Sequence, residues 1–323
     1  MKETSFTRRR FIGATTAVLS GAVLAGPATS LLASAQDATP VAGGASPVPG
    51  SGPLGGQIKF AYQTPATLNP LFSTAGVDQG VERQVYGALV AMTDGIDPEM
   101  DLAESVDISA DAMTYTFHLR DGNMFNDGTP LTSKDVLFTF PRALDPRTGS
   151  VWRSRFLPLE GADKYDGVNV TDLPGIQAPD DKTVVMKLTK PDVTWIITLC
   201  DFAGFAILPE HAFKDIPPDQ LQKAPFSLKP GPGAGAFTFG EYQPDQFVSL
   251  KRNDNYKPPH ANIDELYLPI LPQTVTALSQ LQNGELDIAQ VSVPDLAAVQ
   301  GNPILNVSSE PSVMMQFLVP NLT

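Results

Sequence analysis

The sequence predicts a mixed α/β fold, and three kinds of pattern predict it. Tyr115, Phe117 and Leu119 alternate with polar residues, which is typical of a strand with one buried face. Apolar residues recur every three or four positions across 77–92, which is typical of an amphipathic helix. Turn signals at 121–122 and 126–128 follow the alternating strand, so hairpins occur as well as helical connections. We therefore expect a mixed sheet packed against helices.

Alternation of apolar and polar residues and the positions of prolines predict the first elements. Residues 57–62 alternate as a strand, which Pro65 and Pro70 end. Residues 102–108 and 113–119 flank a four-residue turn, so we predict that they pair as a hairpin.

The next helix carries its own start signal. Thr132 is followed three positions later by Asp135, which predicts an N-cap with acidic support for a helix over 133–144. Pro141 marks a kink or a stop in that helix. Similar patterns predict the remaining strands at 183–188, 236–241, 247–252, 263–270, 286–289, 304–307 and 313–319, and the remaining helices at 193–202, 209–213, 274–283 and 294–300.

Composition limits the classes of function. Of the 323 residues, 42% are hydrophobic and 18% are charged, as in globular proteins. The net charge of −13 argues against a nucleic-acid partner, whose phosphates require clustered Lys and Arg. The single cysteine, Cys200, excludes an intramolecular disulfide and a multi-cysteine metal site.

Residues 1–35 resemble a twin-arginine export signal. The stretch TRRRFI at 7–12 precedes an uncharged run that ends in a small-x-small pattern before Gln36. A membrane anchor is the alternative, because the run is long enough to span a bilayer. Residues 36–56 are nearly all Gly, Pro, Ala and Ser, which predicts a flexible linker. We expect an exported protein, periplasmic or at the cell surface, that is membrane-tethered if the signal stays uncleaved.

Catalytic patterns are missing from the sequence. The three histidines, His118, His211 and His260, are not arranged as HExxH or beside a close carboxylate cluster. The sequence also lacks a Gly-x-Ser-x-Gly elbow and a phosphate-binding loop. We therefore predict no catalytic residues, no metal and no cofactor.

Three regions resemble one known family in order and spacing. The first region contains LAES at 102–105, TYTFHLRDG at 114–122 and FNDGTPLT at 125–132. The second contains PDDKTV at 179–184 and ILPEH at 207–211, and the third contains LKRN at 250–253, TAL at 276–278 and GELDI at 284–288. Over residues 57–320 the chain resembles the extracellular solute-binding proteins of ABC importers, in family 5, which binds peptides, dipeptides and nickel complexes.

The resemblance implies a lobe like those of type II periplasmic binding proteins. It implies one lobe over 57–320, with 75–190 as an inserted subdomain, and it places a crossing to a second lobe near 321–323. The second lobe is expected to be largely missing, as in a truncated gene product. The chain departs from the family at 233–237, where relatives carry a proline after the second glycine; its absence puts the ligand role of this loop in doubt.

The resemblance also implies a ligand site at strand ends that face the second lobe. The predicted ligand-binding residues are Tyr62, Thr64, Leu71, Phe72, Phe202, Phe205, Gly233, Gly235 and Phe317. For each aromatic residue, packing in the core is the alternative. The expected ligand is an oligopeptide or dipeptide, held mainly by main-chain hydrogen bonds.

The implied role is that of a monomeric substrate-binding component. It would deliver its ligand to an ABC permease and ATPase complex after export by the twin-arginine machinery. The alternatives are a binder of another solute, such as a nickel complex or an oligosaccharide, a non-functional remnant, and a secreted hydrolase.

Overall fold

Strand pairing divides the chain into three sheets, in a computed structural model that describes residues 55–92, 97–200, 205–300, 302 and 305–307. The strands are β1 (Gln57–Lys59), β2 (Val90–Met92), β3 (Pro98–Met100), β4 (Ala103–Ile108), β5 (Thr114–Leu119), β6 (Ile176–Asp180), β7 (Thr183–Lys187), β8 (Phe237–Gln243), β9 (Phe247–Arg252) and β10 (Glu265–Pro269). The α-helices are α1 (Gly76–Val85), α2 (Ser133–Leu144), α3 (Arg153–Phe156), α4 (Trp195–Cys200), α5 (Glu210–Phe213), α6 (Thr274–Gln282) and α7 (Leu296–Val299). Short 3-10 helices occur at Pro218–Lys223, Pro225–Ser227 and Val293–Asp295.

The first four-stranded sheet is mixed, as predicted. Its order is β1-β10-β9-β8, with β1 parallel to β10 and the other pairs antiparallel. The chain beyond β1 continues beside β10, because the Tyr62 amide donates to the Pro269 carbonyl at 2.8 Å. On the other side of β1, the Ala61 amide donates to the Ile288 carbonyl at 3.1 Å.

The second four-stranded sheet is antiparallel, in the order β4-β5-β7-β6. The predicted alternation in β5 is confirmed, because Tyr115, Phe117 and Leu119 are buried. Phe117 lies between Val106 of β4 and Val184 of β7. Side chains of both four-stranded sheets belong to one continuous hydrophobic core.

Helix α2 begins and ends where the sequence predicts. The Thr132 hydroxyl accepts from the Lys134 amide at 3.3 Å, and the Asp135 carboxylate accepts from the Thr132 amide at 2.9 Å. This is the reciprocal capping box that the Thr132 and Asp135 spacing predicts. The helix continues three residues beyond Pro141, so the proline is not a stop.

Loss of this cap is expected to be measurable. We expect Thr132→Ala to lower the free energy of unfolding by about 1 kcal/mol, because an amide at the helix start loses its acceptor. Urea denaturation would measure the difference, and Thr132→Ser is the control that should retain most of the stability. Equal stability of the alanine variant and the unchanged protein would contradict a capping role.

Several predicted elements differ from the structure. The predicted helix over 77–92 ends at Val85, because Tyr86 adopts extended backbone (φ −103°, ψ 143°) and the chain then forms β2. The predicted strand at 286–289 is reduced to a single bridge at Ile288, and 305–307 form no strand. The strand predicted at 313–319 lies outside the described residues.

Some elements lack a sequence prediction. The clearest is β6, an edge strand that contains Pro179, and an edge strand tolerates a proline because one side of it pairs with no neighbour. Among the described residues, no helix is both long enough and apolar enough to cross a membrane.

Candidate ligand-binding site

Seven of the nine predicted ligand-binding residues are described. Phe202 and Phe317 lie outside the described residues. Four of the seven lie on or beside the segment 63–75, which precedes α1 and is called the 63–75 loop below: Tyr62, Thr64, Leu71 and Phe72.

Tyr62 and Thr64 fix the start of this loop at the end of the mixed sheet. The half-buried Tyr62 accepts from the Leu271 amide through its carbonyl at 2.8 Å, and its hydroxyl donates to the Val77 carbonyl in the first turn of α1. The exposed Thr64 donates from its hydroxyl to the Asp245 carboxylate at 3.0 Å, in the turn between β8 and β9. The loop therefore begins between the sheet edge and helix α1, with Thr64 open to solvent.

The middle of the loop is anchored to the core. The Leu71 side chain is buried, its amide donates to the Asn69 side chain at 3.1 Å, and its carbonyl accepts from the Ser150 hydroxyl at 2.8 Å. The Asn69 amide group is also buried and donates to the Leu221 carbonyl at 3.1 Å. Phe72, which follows, is half-buried. Leu71 therefore packs inward, whereas Phe72 keeps part of its surface accessible.

Phe205 lies in the core. Its ring packs edge-on against Phe156, with 4.5 Å between ring centroids, and lies near Phe140. The side chain is only 3% exposed, so Phe205 packs in the core, which is the alternative that the sequence left open. A contact between Phe205 and a ligand stays a prediction.

Gly233 and Gly235 allow a close backbone approach to helix α1. A Cβ atom on Gly233 would lie 2.1 Å from the Val85 carbonyl oxygen, and one on Gly235 would lie 2.4 Å from the Gln84 carbonyl oxygen. The Gly235 amide donates to the Val85 carbonyl at 2.8 Å. These glycines therefore cap the end of α1, and their contact with a ligand stays a prediction.

Two buried acids that the sequence reasoning missed hold the 63–75 loop against α1. Asp78 and Glu82 are one helical turn apart and are 2% and 0% exposed. The Asp78 carboxylate accepts from the Ala66 amide at 2.8 Å, and the Ser73 hydroxyl donates to Glu82 Oε2 at 2.6 Å. The helical spacing of Val77 and Val81 gives no signal for this burial, because residues one position apart do not share a helix face and the covering loop is placed by tertiary packing.

Burial changes the proton affinity of both acids. Desolvation raises the pKa of the Glu82 carboxyl to about 8, against a lowering by the Ser73 hydroxyl and with a further rise from Asp78. Desolvation also raises the pKa of Asp78, although hydrogen bonds from the Ala66 and Thr67 amides lower it. Glu82 is therefore mostly protonated at neutral pH.

The described residues contain no group of three or more His, Cys, Asp or Glu side chains that could hold a metal ion. The two described histidine–carboxylate pairs, His118–Asp107 and His211–Asp127, are partly exposed and join neighbouring surface segments. Surface hollows of about 480 Å³ beside Phe138 and Arg142, and of about 250 Å³ beside Tyr256, contain none of the predicted residues.

Solved structures share the fold of this chain. The oligopeptide-binding protein AppA of Bacillus subtilis, solved with a nonapeptide, is 25% identical with a TM-score of 0.68 over 77% of this chain and 46% of its own. AgaA of A. tumefaciens R10, solved with agropinic acid, is 27% identical with a TM-score of 0.65 over 77% of this chain and 46% of its own. These likenesses place the fold of the chain in the substrate-binding class.

The chain belongs to the bacterial extracellular solute-binding proteins, family 5, whose family model matches residues 97–323. A Brucella ovis protein assigned as an ABC transporter peptide-binding protein is 32% identical over 301 residues, which are 93% of this chain and 51% of the relative. The chain thus spans about half the length of the curated relatives it matches. These relatives are transport substrate-binding proteins.

Proposed function

We propose that this chain is the ligand-receiving part of the extracytoplasmic substrate-binding component of an ABC importer, and that the ligand is an oligopeptide or dipeptide. The observation that carries the proposal is the likeness to AppA, which was solved with a nonapeptide and aligns with 77% of this chain. In this role the chain binds without catalysing a reaction and delivers its ligand to a permease and ATPase complex.

The proposed site is the edge of the mixed sheet around the 63–75 loop. Tyr62 keeps part of its surface open, Thr64 is exposed, and Phe72 is half-buried, so these three residues can contact a peptide. Backbone groups of the 63–75 loop would supply most hydrogen bonds, which suits ligands of varied sequence. Leu71, Phe205, Gly233 and Gly235 would act indirectly, by holding the loop and the end of α1 in place.

The proposed organisation retains the boundaries that the sequence predicts. Residues 1–35 act as a twin-arginine export signal, 36–56 as a linker, 57–320 as the binding lobe with 75–190 inserted, and 321–323 as the approach to a second lobe. In the family, the ligand shifts an equilibrium between open and closed lobes, and the transporter recognises the closed form.

A non-peptide solute is the second candidate ligand. The likeness to AgaA, solved with agropinic acid, favours it, because a protein of this fold with 27% identity was solved with a different ligand class. A nickel complex or an oligosaccharide would also be a non-peptide ligand of this kind.

A ligand panel monitored by NMR of the 15N-labelled 323-residue polypeptide would separate these functions. We expect a mixture of tetrapeptides to shift amide signals of residues 62–72, whereas maltose and a nickel–histidine complex leave them unchanged. The peptides should also be recovered intact, which mass spectrometry would measure. Shifts caused only by a non-peptide solute would replace the proposal with the second candidate, and cleavage of the peptides would replace it with a hydrolase.

A further inference from the structure

Two of the side chains that hold the 63–75 loop against α1 are the carboxyl groups of Asp78 and Glu82. Glu82 is fully buried, and Ser73 provides the hydrogen bond to its Oε2 atom at 2.6 Å. The other oxygen, Oε1, has no hydrogen-bond partner in the part of the chain that the structure describes. A buried carboxylate with an unpaired oxygen is costly when it is charged and much less costly when it is neutral.

The groups that face Glu82 directly are an acid and two neutral hydroxyls, while Arg83, the next residue on α1, acts on the Tyr62 hydroxyl. Asp78 lies one turn before Glu82 and Tyr86 one turn after it on α1, while Tyr62 faces it from the end of the first strand. Within the described residues, Asp78 is the charged group that acts on Glu82, and its negative charge opposes ionisation. Burial raises the pKa of the Tyr62 and Tyr86 hydroxyls, and Asp78 raises that of Tyr62 further, so these groups stay neutral.

We propose that the protonation state of Glu82 controls whether the 63–75 loop stays packed against helix α1. We call this contact between Glu82 and the loop the latch. The protonated side chain holds Ser73 against helix α1, since a hydroxyl can donate to or accept from a neutral carboxyl group. Loss of the proton leaves a buried negative charge that is relieved when the loop opens and admits water. The loop therefore loosens as the pH rises.

The direction of the pH effect follows from the linkage between protonation of Glu82 and opening of the loop. The pKa of Glu82 is about 8 in the closed loop, compared with an ordinary value of 4.5 when it is exposed to water. Between these two values the closed form keeps a proton that the open form has lost, so opening becomes easier with each pH unit. Above about pH 8 both forms are ionised, and the dependence levels off.

Hydrogen exchange of the ligand-free 323-residue polypeptide tests the latch. The Phe72 and Ser73 amides, which donate to the Asn69 carbonyl at 3.0 and 3.2 Å, report on the loop. After correction for intrinsic exchange, we expect their protection to fall at least tenfold between pH 5 and pH 8. Glu82→Gln should remove this dependence, and Glu104→Gln, a change at an exposed glutamate, should retain it.

A second variant keeps the test decisive if Glu82→Gln fails to fold. Ser73→Ala removes a hydroxyl that favours the ionised carboxylate, so it should shift the upper end of the transition to higher pH. A purely structural role would instead lower protection equally at every pH. The latch is refuted if the unchanged protein shows no pH dependence or if Glu82→Gln keeps the same dependence.

The latch has a consequence for ligand binding that rests on the proposed function. Phe72 lies on the loop, so a ligand that contacts it should bind more weakly as the pH rises. The exchange experiment contains no ligand, so a failure of the proposed function leaves its outcome unchanged.

Discussion

Replacing Phe117 with alanine is expected to lower the free energy of unfolding by about 3–5 kcal/mol. The Phe117 ring is fully buried in the middle of the antiparallel sheet, with Val106 and Val184 on the two neighbouring strands. Removal of the ring loses its transfer free energy and leaves a cavity that the flanking strands cannot close without moving. Urea denaturation monitored by circular dichroism would measure the loss.

Two further variants show whether the effect belongs to this site. Phe117→Leu keeps much of the volume and should cost clearly less than the alanine variant. Ile108→Ala removes an apolar side chain that is 44% exposed on the adjacent strand β4, so we expect a cost below about 1 kcal/mol. A similar loss for Ile108→Ala and Phe117→Ala would contradict the described core.

Replacing Gly233 with alanine is expected to cost about 3 kcal/mol. The new Cβ atom would lie 2.1 Å from the Val85 carbonyl oxygen and 2.9 Å from its carbonyl carbon, and backbone atoms cannot rotate out of the way. The same carbonyl accepts from the Gly235 amide at 2.8 Å, so a shift would also weaken that hydrogen bond. Thermal unfolding should show a fall of about 2–4 °C for each kcal/mol.

Gly76→Ala is the matched control. It places the same methyl group at the first residue of α1, where a Cβ atom would meet nothing within 4 Å. Its stability should be unchanged or raised by up to about 1 kcal/mol, because alanine restricts the unfolded chain. If Gly233→Ala keeps full stability, the close contact with α1 is wrong, and the predicted contact with a ligand becomes the better account of this glycine.

Elements in which several local signals agree could be predicted from the sequence. Helix α2 has its cap, its acidic first turn and its apolar spacing in one stretch, and Ser133–Leu144 is helical as predicted. Helix α6 ends at Gln282, and Gly284 has a φ of +74°, as expected for a glycine that stops a helix. In both cases the information lies within about one turn of the boundary.

Elements that depend on distant partners could not be predicted. Ala88, Leu89 and Met92 continue the helical spacing of α1, but Val90 pairs with Met100 and Leu89 accepts from the Asp101 amide at 3.1 Å. The backbone groups of these residues pair with a segment about ten positions further along the chain. The helical spacing of residues 88–92 carries no information about that partner.

The ligand contacts of the candidate site stay a prediction, and the structure adds only where its residues lie. The sequence places Tyr62, Thr64 and Phe72 after the first strand. Thr64 and Phe72 lie on the 63–75 loop, and Tyr62 directly precedes it. The sequence could not predict that Leu71 is buried, because its neighbour Ser150 is 79 positions away. The burial of Glu82 was missed for the same reason, since the loop that covers it is set by tertiary packing.

Titration calorimetry of an oligopeptide into the 323-residue polypeptide tests the central claim most directly. If the chain supplies about half of the contacts of a complex that would otherwise have a Kd near 1 μM, the expected Kd is about 1 mM, since half of the binding free energy remains. We therefore predict weak, saturable binding of peptides. A sub-micromolar Kd would contradict a shared binding site, and no heat from any peptide at about ten times the expected Kd would contradict peptide recognition by this chain.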